Sequence, residues 1–124
     1  MIGIISAMQE EMQALLDKLE NISTTKKGMR TYYAGTLLSK KVVLVFSRWG
    51  KVASAITATQ LINDFNLDEI IFTGVAGGIV ENLEIGDVVI GNKMFQHDLD
   101  ARPFYNQFEI PILKLPYVQA SKNE

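Results

Sequence analysis

The sequence has no cysteine, a single histidine and no hydrophobic run long enough to span a membrane. Without cysteine, disulfides, thiolate zinc sites and thiol nucleophiles are excluded. The histidine, His97, lies close to Asp98 and Asp100, but a zinc site usually needs several ligands with histidine or cysteine prominent. We therefore predict no metal site and a structural, hydrogen-bonded His97. We also predict no covalent hydrolase chemistry of the Ser-His-Asp or Cys-His type.

An excess of charge of one sign is also missing. The chain carries 12 basic and 14 acidic residues, and its basic doublets are confined to Lys26-Lys27 and Lys40-Lys41. This distribution excludes a nucleic-acid footprint, so no nucleic-acid partner is predicted. The N-terminal residues have no basic lead-in and are not typical of a signal peptide. The longest uncharged apolar stretch, Ile70 to Val80, is interrupted by glycines and too short to cross a membrane. These features predict a cytoplasmic protein with no membrane partner.

What is present is a chain of 124 residues, 48% of them apolar, which suits one hydrophobic core. Apolar runs alternate with stripes at helical spacing, and the connecting segments are polar or rich in glycine. The predicted strands are Ile2–Ile5, Arg30–Thr36, Lys41–Phe46, Glu69–Thr73 and Asp87–Ile90, and the predicted helices run from Met8 to about Asn21 and from Lys51 to Phe65. This order predicts an α/β layer with a mixed sheet, in which Arg30–Thr36 and Lys41–Phe46 form a hairpin. The end of the chain, residues 112–124, is expected to be an unanchored polar tail.

The acids that follow the first strand are the first candidates for chemistry, because ligands in open α/β sheets bind beyond the carboxyl ends of the strands. At about 100° per residue, Glu10 points away from the apolar stripe of the first helix, whereas Glu11 flanks that stripe. Two interpretations stay open on the residues alone. Both acids could have no role beyond a favourable interaction with the positive end of the helix dipole. Alternatively, Glu11 is a general base that accepts a proton from water.

Two further segments follow predicted strands. In SRWGKVAS, Trp49 is either a core aromatic or a ring that stacks on a flat ligand. Arg48 either forms a surface ion pair or contacts a phosphate group. In TGVAGG, the glycines serve either a tight strand exit or a backbone approach to a substrate anion or hydroxyl. This segment is not a dinucleotide-binding fingerprint, because its glycines are out of register and another strand is predicted soon after them.

Taken in order, IGIISAMQEEM, SRWGKVASA, FTGVAGG, LEIGDVVIG and HDLDARPF resemble the N-terminal half of bacterial 5′-methylthioadenosine/S-adenosylhomocysteine nucleosidases. These belong to the family of nucleoside phosphorylases and nucleosidases. The resemblance covers residues 1–111 and leaves residues 112–124 as a divergent tail. It implies a truncated form of the nucleoside phosphorylase-like α/β fold, in which helices flank a mixed, barrel-like sheet. It also implies a cytoplasmic homodimer without metal or cofactor, which hydrolyses the N-glycosidic bond of purine thioether nucleosides and releases adenine.

The resemblance also implies roles for individual residues. It makes Glu11 the catalytic base that positions and deprotonates the attacking water. The implied substrate-binding residues are Ala7, Met8, Trp49, Val75, Ala76, Gly77, Phe104 and Pro111. In the family dimer, the positions of Phe104 and Pro111 lean into the neighbouring subunit, so a complete site would need two chains. Trp49 stands where many members carry an aliphatic residue, and its bulk narrows the pocket.

Two departures from the family pattern bear on activity. Phosphorolytic relatives clamp phosphate with arginines where this chain has SAMQEE and Phe72, so water is the predicted nucleophile. Arg48 keeps phosphorolysis by a purine nucleoside phosphorylase as a lesser alternative. The family's VEME-type segment and Ser-Asp pair, which bind the ribose and protonate the purine, have no counterpart in these residues. We therefore expect impaired hydrolysis by this chain. The alternative is a non-catalytic remnant that binds purine nucleosides or only dimerises.

Overall fold

The computed structural model describes residues 1–121, and the chain divides into two compact units, Met1–Gly77 and Gly78–Glu124. The first unit contains seven elements: β1 (Ile2–Ser6), α1 (Gln9–Leu16), β2 (Glu20–Lys27), β3 (Arg30–Leu37), β4 (Lys40–Phe46), α2 (Lys51–Asp64) and β5 (Glu69–Phe72). The second contains β6 (Lys93–Met94) and β7 (Val118–Gln119), which pair in antiparallel fashion. The structure confirms the predicted mixed α/β class.

The five strands of the first unit form one sheet in the order β2-β3-β4-β1-β5. The chain passes from β3 to β4 through the predicted hairpin, and both β4 and β5 run parallel to β1. This topology places the carboxyl ends of β4, β1 and β5 side by side at one edge. Backbone hydrogen bonds extend the alignment beyond the strands, since Ser47 donates to Ser6 and Thr73 donates to Ile5, each at 2.9 Å.

The core lies on both faces of the sheet because β1 and β4 carry consecutive apolar residues, and successive side chains alternate between the two faces. One face packs against α1 through Ile4, Met12, Leu19, Val42 and Leu44. The opposite face packs against α2 through Ile5, Tyr32, Val43, Val45 and Leu61. The continuous apolar run of β4 is therefore typical of a strand that is covered on both faces. This packing on both faces holds in place the edge of the sheet where β1 and β4 end.

The periodicity that predicted α2 was right about the helix but did not identify its buried face. The buried residues of α2 are Thr57 and Leu61. Val52, Ile56 and Ile62 are exposed on the roughly opposite side of the helix. A helix that is apolar on two sides is typical of one packed on two sides.

Three other predictions for local structure were wrong. The first helix ends at Leu16 rather than near Asn21, and the exposed polar strand β2 follows it. β2 was missed because every residue on it is exposed, which removes the hydrophobic alternation that signals a strand. Residues 87–90 form no strand, and Val88 and Ile90 are exposed; a strand needs a neighbour for its backbone hydrogen bonds.

The predicted tail is anchored within its described part, because Val118–Gln119 pairs with Lys93–Met94. The last three residues of the tail, 122–124, lie outside the described residues. The boundary predicted between residues 111 and 112 stays a prediction. Neither α1 nor α2, the two helices in the described part of the chain, has the length and hydrophobicity that crossing a membrane requires.

Candidate functional site

The side chain of Glu11 lies where β1, α1 and the segment after β5 meet. Its carboxylate accepts three backbone hydrogen bonds: Oε1 from the N–H of Val75 at 2.8 Å, and Oε2 from Met8 at 2.9 Å and Ala7 at 3.1 Å. Val75 is 64 residues away in the chain, so only the parallel pairing of β1 with β5 brings it here. The structure therefore joins four of the predicted site residues in one cradle: Ala7, Met8, Glu11 and Val75.

The contacts of Glu11 include the start of α1 and extend beyond it. Glu11 is the third residue of α1, and its bond from the Met8 N–H is half of a capping box at the start of that helix. The bond from Val75 has no part in capping, because it reaches a different strand end. Glu10, by contrast, is exposed and points away from this cradle, as the helical geometry predicted.

Gly74 lets the carboxylate approach the backbone after β5. A Cβ atom on residue 74 would lie 2.8 Å from Oε1 and 2.9 Å from Cδ of Glu11, both closer than van der Waals contact allows. Sequence reasoning treated this glycine only as part of a glycine-rich segment. The close approach of a side chain from α1 depends on tertiary structure, which no local signal reveals.

The three N–H groups favour the ionised form of Glu11. The bond from Val75 is the main cause that lowers the pKa of the carboxyl below its usual value; desolvation opposes it, and the bonds from Met8 and Ala7 add to it. Glu11 is therefore ionised at neutral pH. A carboxylate has about four lone-pair sites, and three are occupied here. The remaining site, on Oε1, is free to accept a hydrogen bond from a water molecule.

The segment after β4 lies beside the end of β1. Ser6 and Ser47 are fully buried where the two strands end, and the Ser47 hydroxyl donates to the Ser6 carbonyl at 3.2 Å. Trp49 is 76% exposed, so the interpretation as a core aromatic is wrong. With Phe46 and Arg48, Trp49 lines an open cavity of about 240 Å³. Its indole ring is therefore available to a flat ligand, although stacking itself stays a prediction.

The remaining predicted residues donate no hydrogen bond to Glu11 in the described structure. Ala76 and Gly77 follow Val75 and are exposed. Phe104, 86% exposed, and Pro111, also exposed, belong to the second unit. In the described residues, no group of His, Asp and Glu side chains is arranged to hold a metal ion.

A comparison with protein families identifies the fold around this cradle. The model described as the phosphorylase superfamily matches residues 1–123. The chain belongs to the phosphorylase superfamily. Superfamily relatives share the sequence extensively: 5′-methylthioadenosine/S-adenosylhomocysteine nucleosidases from Staphylococcus haemolyticus and Staphylococcus aureus are 44% and 43% identical over 118 and 123 residues.

Solved superfamily structures share the fold. The Streptococcus pneumoniae nucleosidase in complex with 8-aminoadenine superposes with a TM-score of 0.89 at 39% identity, covering 96% of this chain and 53% of that one. The Neisseria meningitidis nucleosidase in complex with methylthio-immucillin-A gives 0.91 at 34% identity, covering 97% and 52%. Futalosine hydrolase of Helicobacter pylori gives 0.88 at 30% identity, covering 98% and 52%.

These comparisons confirm the predicted resemblance to the nucleosidases of this superfamily. They also give the extent of the match. The sequence alignments cover 94% and 98% of this chain but 52% and 54% of the Staphylococcus relatives. The chain therefore spans about half the length of the curated relatives it matches.

Proposed function

We propose that this chain supplies the water-activating part of a site that hydrolyses the N-glycosidic bond of 5′-methylthioadenosine and S-adenosylhomocysteine and releases adenine. The observation that carries the proposal is the Glu11 carboxylate, which the N–H groups of Ala7, Met8 and Val75 hold in place and keep ionised. The names of the superfamily relatives supply the substrate class.

In the proposed reaction, a water molecule donates a hydrogen bond to the free lone pair of Glu11 Oε1. As the water oxygen attacks the anomeric carbon of the ribose, its proton passes to the carboxylate, and the bond from that carbon to the purine nitrogen breaks with its electron pair on the purine. The purine takes a proton from solvent to become adenine, and Glu11 returns its proton to solvent. The three bonds that position Glu11 matter because general-base catalysis requires hydrogen-bond reach between the base and the proton it removes.

Two tasks in this reaction, protonating the purine and holding the ribose, lack the residues that the family resemblance assigns to them. The sequence contains no Ser-Asp dipeptide to protonate the leaving purine and no VEME-type segment to hold the ribose. Protonation of a leaving group contributes roughly 100- to 10,000-fold to a rate. The proposal therefore assigns no residue of these 124 to either task.

The products of the reaction test this proposal. Purified chain incubated with 5′-methylthioadenosine at neutral pH should release adenine together with free methylthioribose, at a rate proportional to protein concentration and unchanged by added inorganic phosphate. Chromatography of the products separates methylthioribose from its 1-phosphate. Phosphate-dependent formation of the sugar phosphate would contradict hydrolysis. Calorimetric binding of the nucleoside without turnover would support the non-catalytic alternative instead.

We further propose that the chain forms a homodimer through the exposed face of α2. This face carries Val52, Ala55, Ile56, Thr59 and Ile62, a stripe without charge that is turned away from the sheet. Exposed apolar patches of this kind often mark protein interfaces. The exposure of Phe104 and Pro111 agrees with the role that the family resemblance gives them, which is to cover the site of a neighbouring subunit. The cytoplasmic location and the absence of cofactors stay predictions from the sequence.

Charge placed on the α2 stripe should weaken this assembly. Ile56→Lys is expected to shift the chain toward the monomer in size-exclusion chromatography with light scattering, because a lysine buried in an apolar interface loses its hydration. Leu38→Lys is the matched control: it replaces an apolar residue that is 88% exposed at the β3–β4 turn, outside the stripe. Equal masses for the wild type and Ile56→Lys would contradict an interface on α2.

A further inference from the structure

The segment that joins β4 to α2, residues 47–50, carries Trp49 on an unusual backbone. Arg48 has a φ of 70° and Gly50 a φ of 92°, so two of its residues lie in the left-handed region. A non-glycine residue stays in that region where the surrounding structure holds it there. The exposed ring of Trp49 is not held by core packing. Its position therefore follows from whatever fixes the backbone of this segment.

Arg30, the first residue of β3, contacts the main chain at both ends of the segment. Its side chain lies on the α2 face of the sheet, the face to which Tyr32 also points. Nη2 donates to the carbonyl of Ser47 at 3.4 Å and to that of Ala53, in the first turn of α2, at 3.3 Å. Nη1 donates to the carbonyl of Gly28 at 2.8 Å. One guanidinium thus links the end of β4 and the start of α2 to the β2–β3 turn.

The burial of Arg30 makes these contacts unusual. The residue is only 9% exposed, and arginine is seldom buried unless its charge is paired. Here its hydrogen bonds in the described chain all go to main-chain carbonyls, and Nε is buried without a partner. An apolar side chain would fill this space without the cost of burying a charge. The rigid fork of a guanidinium, however, fixes the carbonyls that it bonds relative to each other.

Two further residues hold the same junction. Thr57 is fully buried on α2, and its hydroxyl donates to the carbonyl of Ala53 at 2.7 Å and lies 3.4 Å from that of Ser47. These are the two carbonyls that Arg30 bonds. From the neighbouring strand, the carbonyl of Ser6 accepts the N–H of Ser47 at 2.9 Å. The segment is therefore fixed relative to the end of β1, from which the chain passes into the Glu11 cradle.

We propose that Arg30 is a positioning residue of the nucleoside site, which acts through the backbone of residues 47–53 to hold the ring of Trp49 in place. The inference rests on the proposed function in one respect, which is that Trp49 contacts the bound nucleoside. Glu11 comes from α1, on the opposite face of the sheet. Loss of Arg30 should therefore weaken binding of the nucleoside and leave the proton transfer to Glu11 unchanged.

The fluorescence of Trp49 tests the positioning directly, because this is the only tryptophan in the sequence. Arg30→Met removes the donors and keeps an unbranched side chain. In the ligand-free chain, time-resolved anisotropy should show a larger amplitude of fast ring motion for Arg30→Met than for the wild type. Lys27→Met is the matched control. It removes a cation from the same hairpin whose partner, Asp64 at 2.7 Å, is the last residue of α2, and it should leave the decay unchanged.

Steady-state kinetics with 5′-methylthioadenosine separates positioning from a general loss of structure. Arg30→Met should raise KM about 2- to 10-fold, the effect of losing one aromatic contact, and should leave kcat within about twofold of the wild-type value. Arg30→Lys keeps the charge and can donate to the same carbonyls, so it should restore part of the affinity. Thr57→Val, which removes the second donor without changing the shape of the side chain, replaces Arg30→Met if that variant does not fold. It should raise KM in the same direction.

Equal anisotropy decays for Arg30→Met and Lys27→Met would overturn the inference, whether or not the chain releases adenine. A fall in kcat at constant KM would also overturn it, since the effect would then lie with Glu11. If the wild type releases no adenine, the proposed hydrolysis fails, and the Kd of 5′-methylthioadenosine from quenching of Trp49 takes the place of KM. An unchanged Kd in Arg30→Met, or no quenching in the wild type, then counts against the role of Arg30.

Discussion

Glu11→Gln should lower adenine release from 5′-methylthioadenosine by about 100-fold or more, since an amide cannot take the proton of the attacking water. The change should also lower the free energy of unfolding by about 1–2 kcal/mol. Both carboxylate oxygens accept backbone N–H groups, Oε1 from Val75 and Oε2 from Ala7 and Met8. A glutamine keeps one oxygen, so its NH₂ group must face one of these donors. Initial rates and urea unfolding measure the two effects.

The matched control for this variant is Glu10→Gln. Glu10 has the same side chain one position earlier in α1, but it is exposed and lies outside the cradle. Its replacement should leave adenine release unchanged and should alter stability by less than about 1 kcal/mol, the usual contribution of an acid in the first turn of a helix. Equal rates of adenine release for Glu11→Gln and the wild type would contradict the role of Glu11 as base.

Gly74→Ala should separate the geometry of the base from its chemistry. The new Cβ would lie 2.8 Å from Oε1 of Glu11, and because the obstructed atom is the end of a side chain, the carboxylate can yield while the fold survives. It would then lose the Val75 N–H, the main cause of its lowered pKa. We expect the Glu11 pKa to rise toward its ordinary value. Adenine release should fall about 10- to 100-fold, because a small displacement of a catalytic group is costly.

The pH dependence of stability gives the same prediction a second readout. Because the folded-state pKa of Glu11 is lowered, its stabilising contribution is present above the unfolded-state pKa of about 4.3 and is lost as the pH falls through the folded-state pKa. Gly74→Ala should therefore lose less stability than the wild type as the pH falls through this range. Gly77→Ala is the control, since nothing lies within 4 Å of a Cβ at that position. A Glu11 pKa in Gly74→Ala that equals the Gly77→Ala value, measured by NMR titration, would refute the role of Gly74.

Much of the first unit was predictable because its elements carry strong local signals. The apolar runs of β1 and β4 and the turn between β3 and β4 depend on neighbouring residues alone. The signal failed where local pattern and burial disagree. In α2, the apolar stripe with the clearest periodicity is the exposed one, while Thr57 and Leu61 face the sheet. Periodicity identifies a helix, but only its neighbours decide which side is buried.

The candidate site was likewise predictable from the sequence only in part. The helical geometry of α1 distinguished Glu11 from Glu10, and the motif resemblance assigned Glu11 its role. Arg30, which opens an ordinary-looking strand, gave no signal beyond a charge at a strand start. Its burial against Ser47 and Ala53 depends on where β4 and α2 lie.

By itself, the sequence determined the α/β class, the family resemblance and the distinction between Glu11 and Glu10, since these follow from residue spacing and motif order. Tertiary structure decided the rest. The N–H of Val75 reaches Glu11 only because β5 pairs in parallel with β1, and the carboxylate fits only because residue 74 has no Cβ. A charge is held by atoms that surround it in space, and here those atoms come from distant parts of the chain.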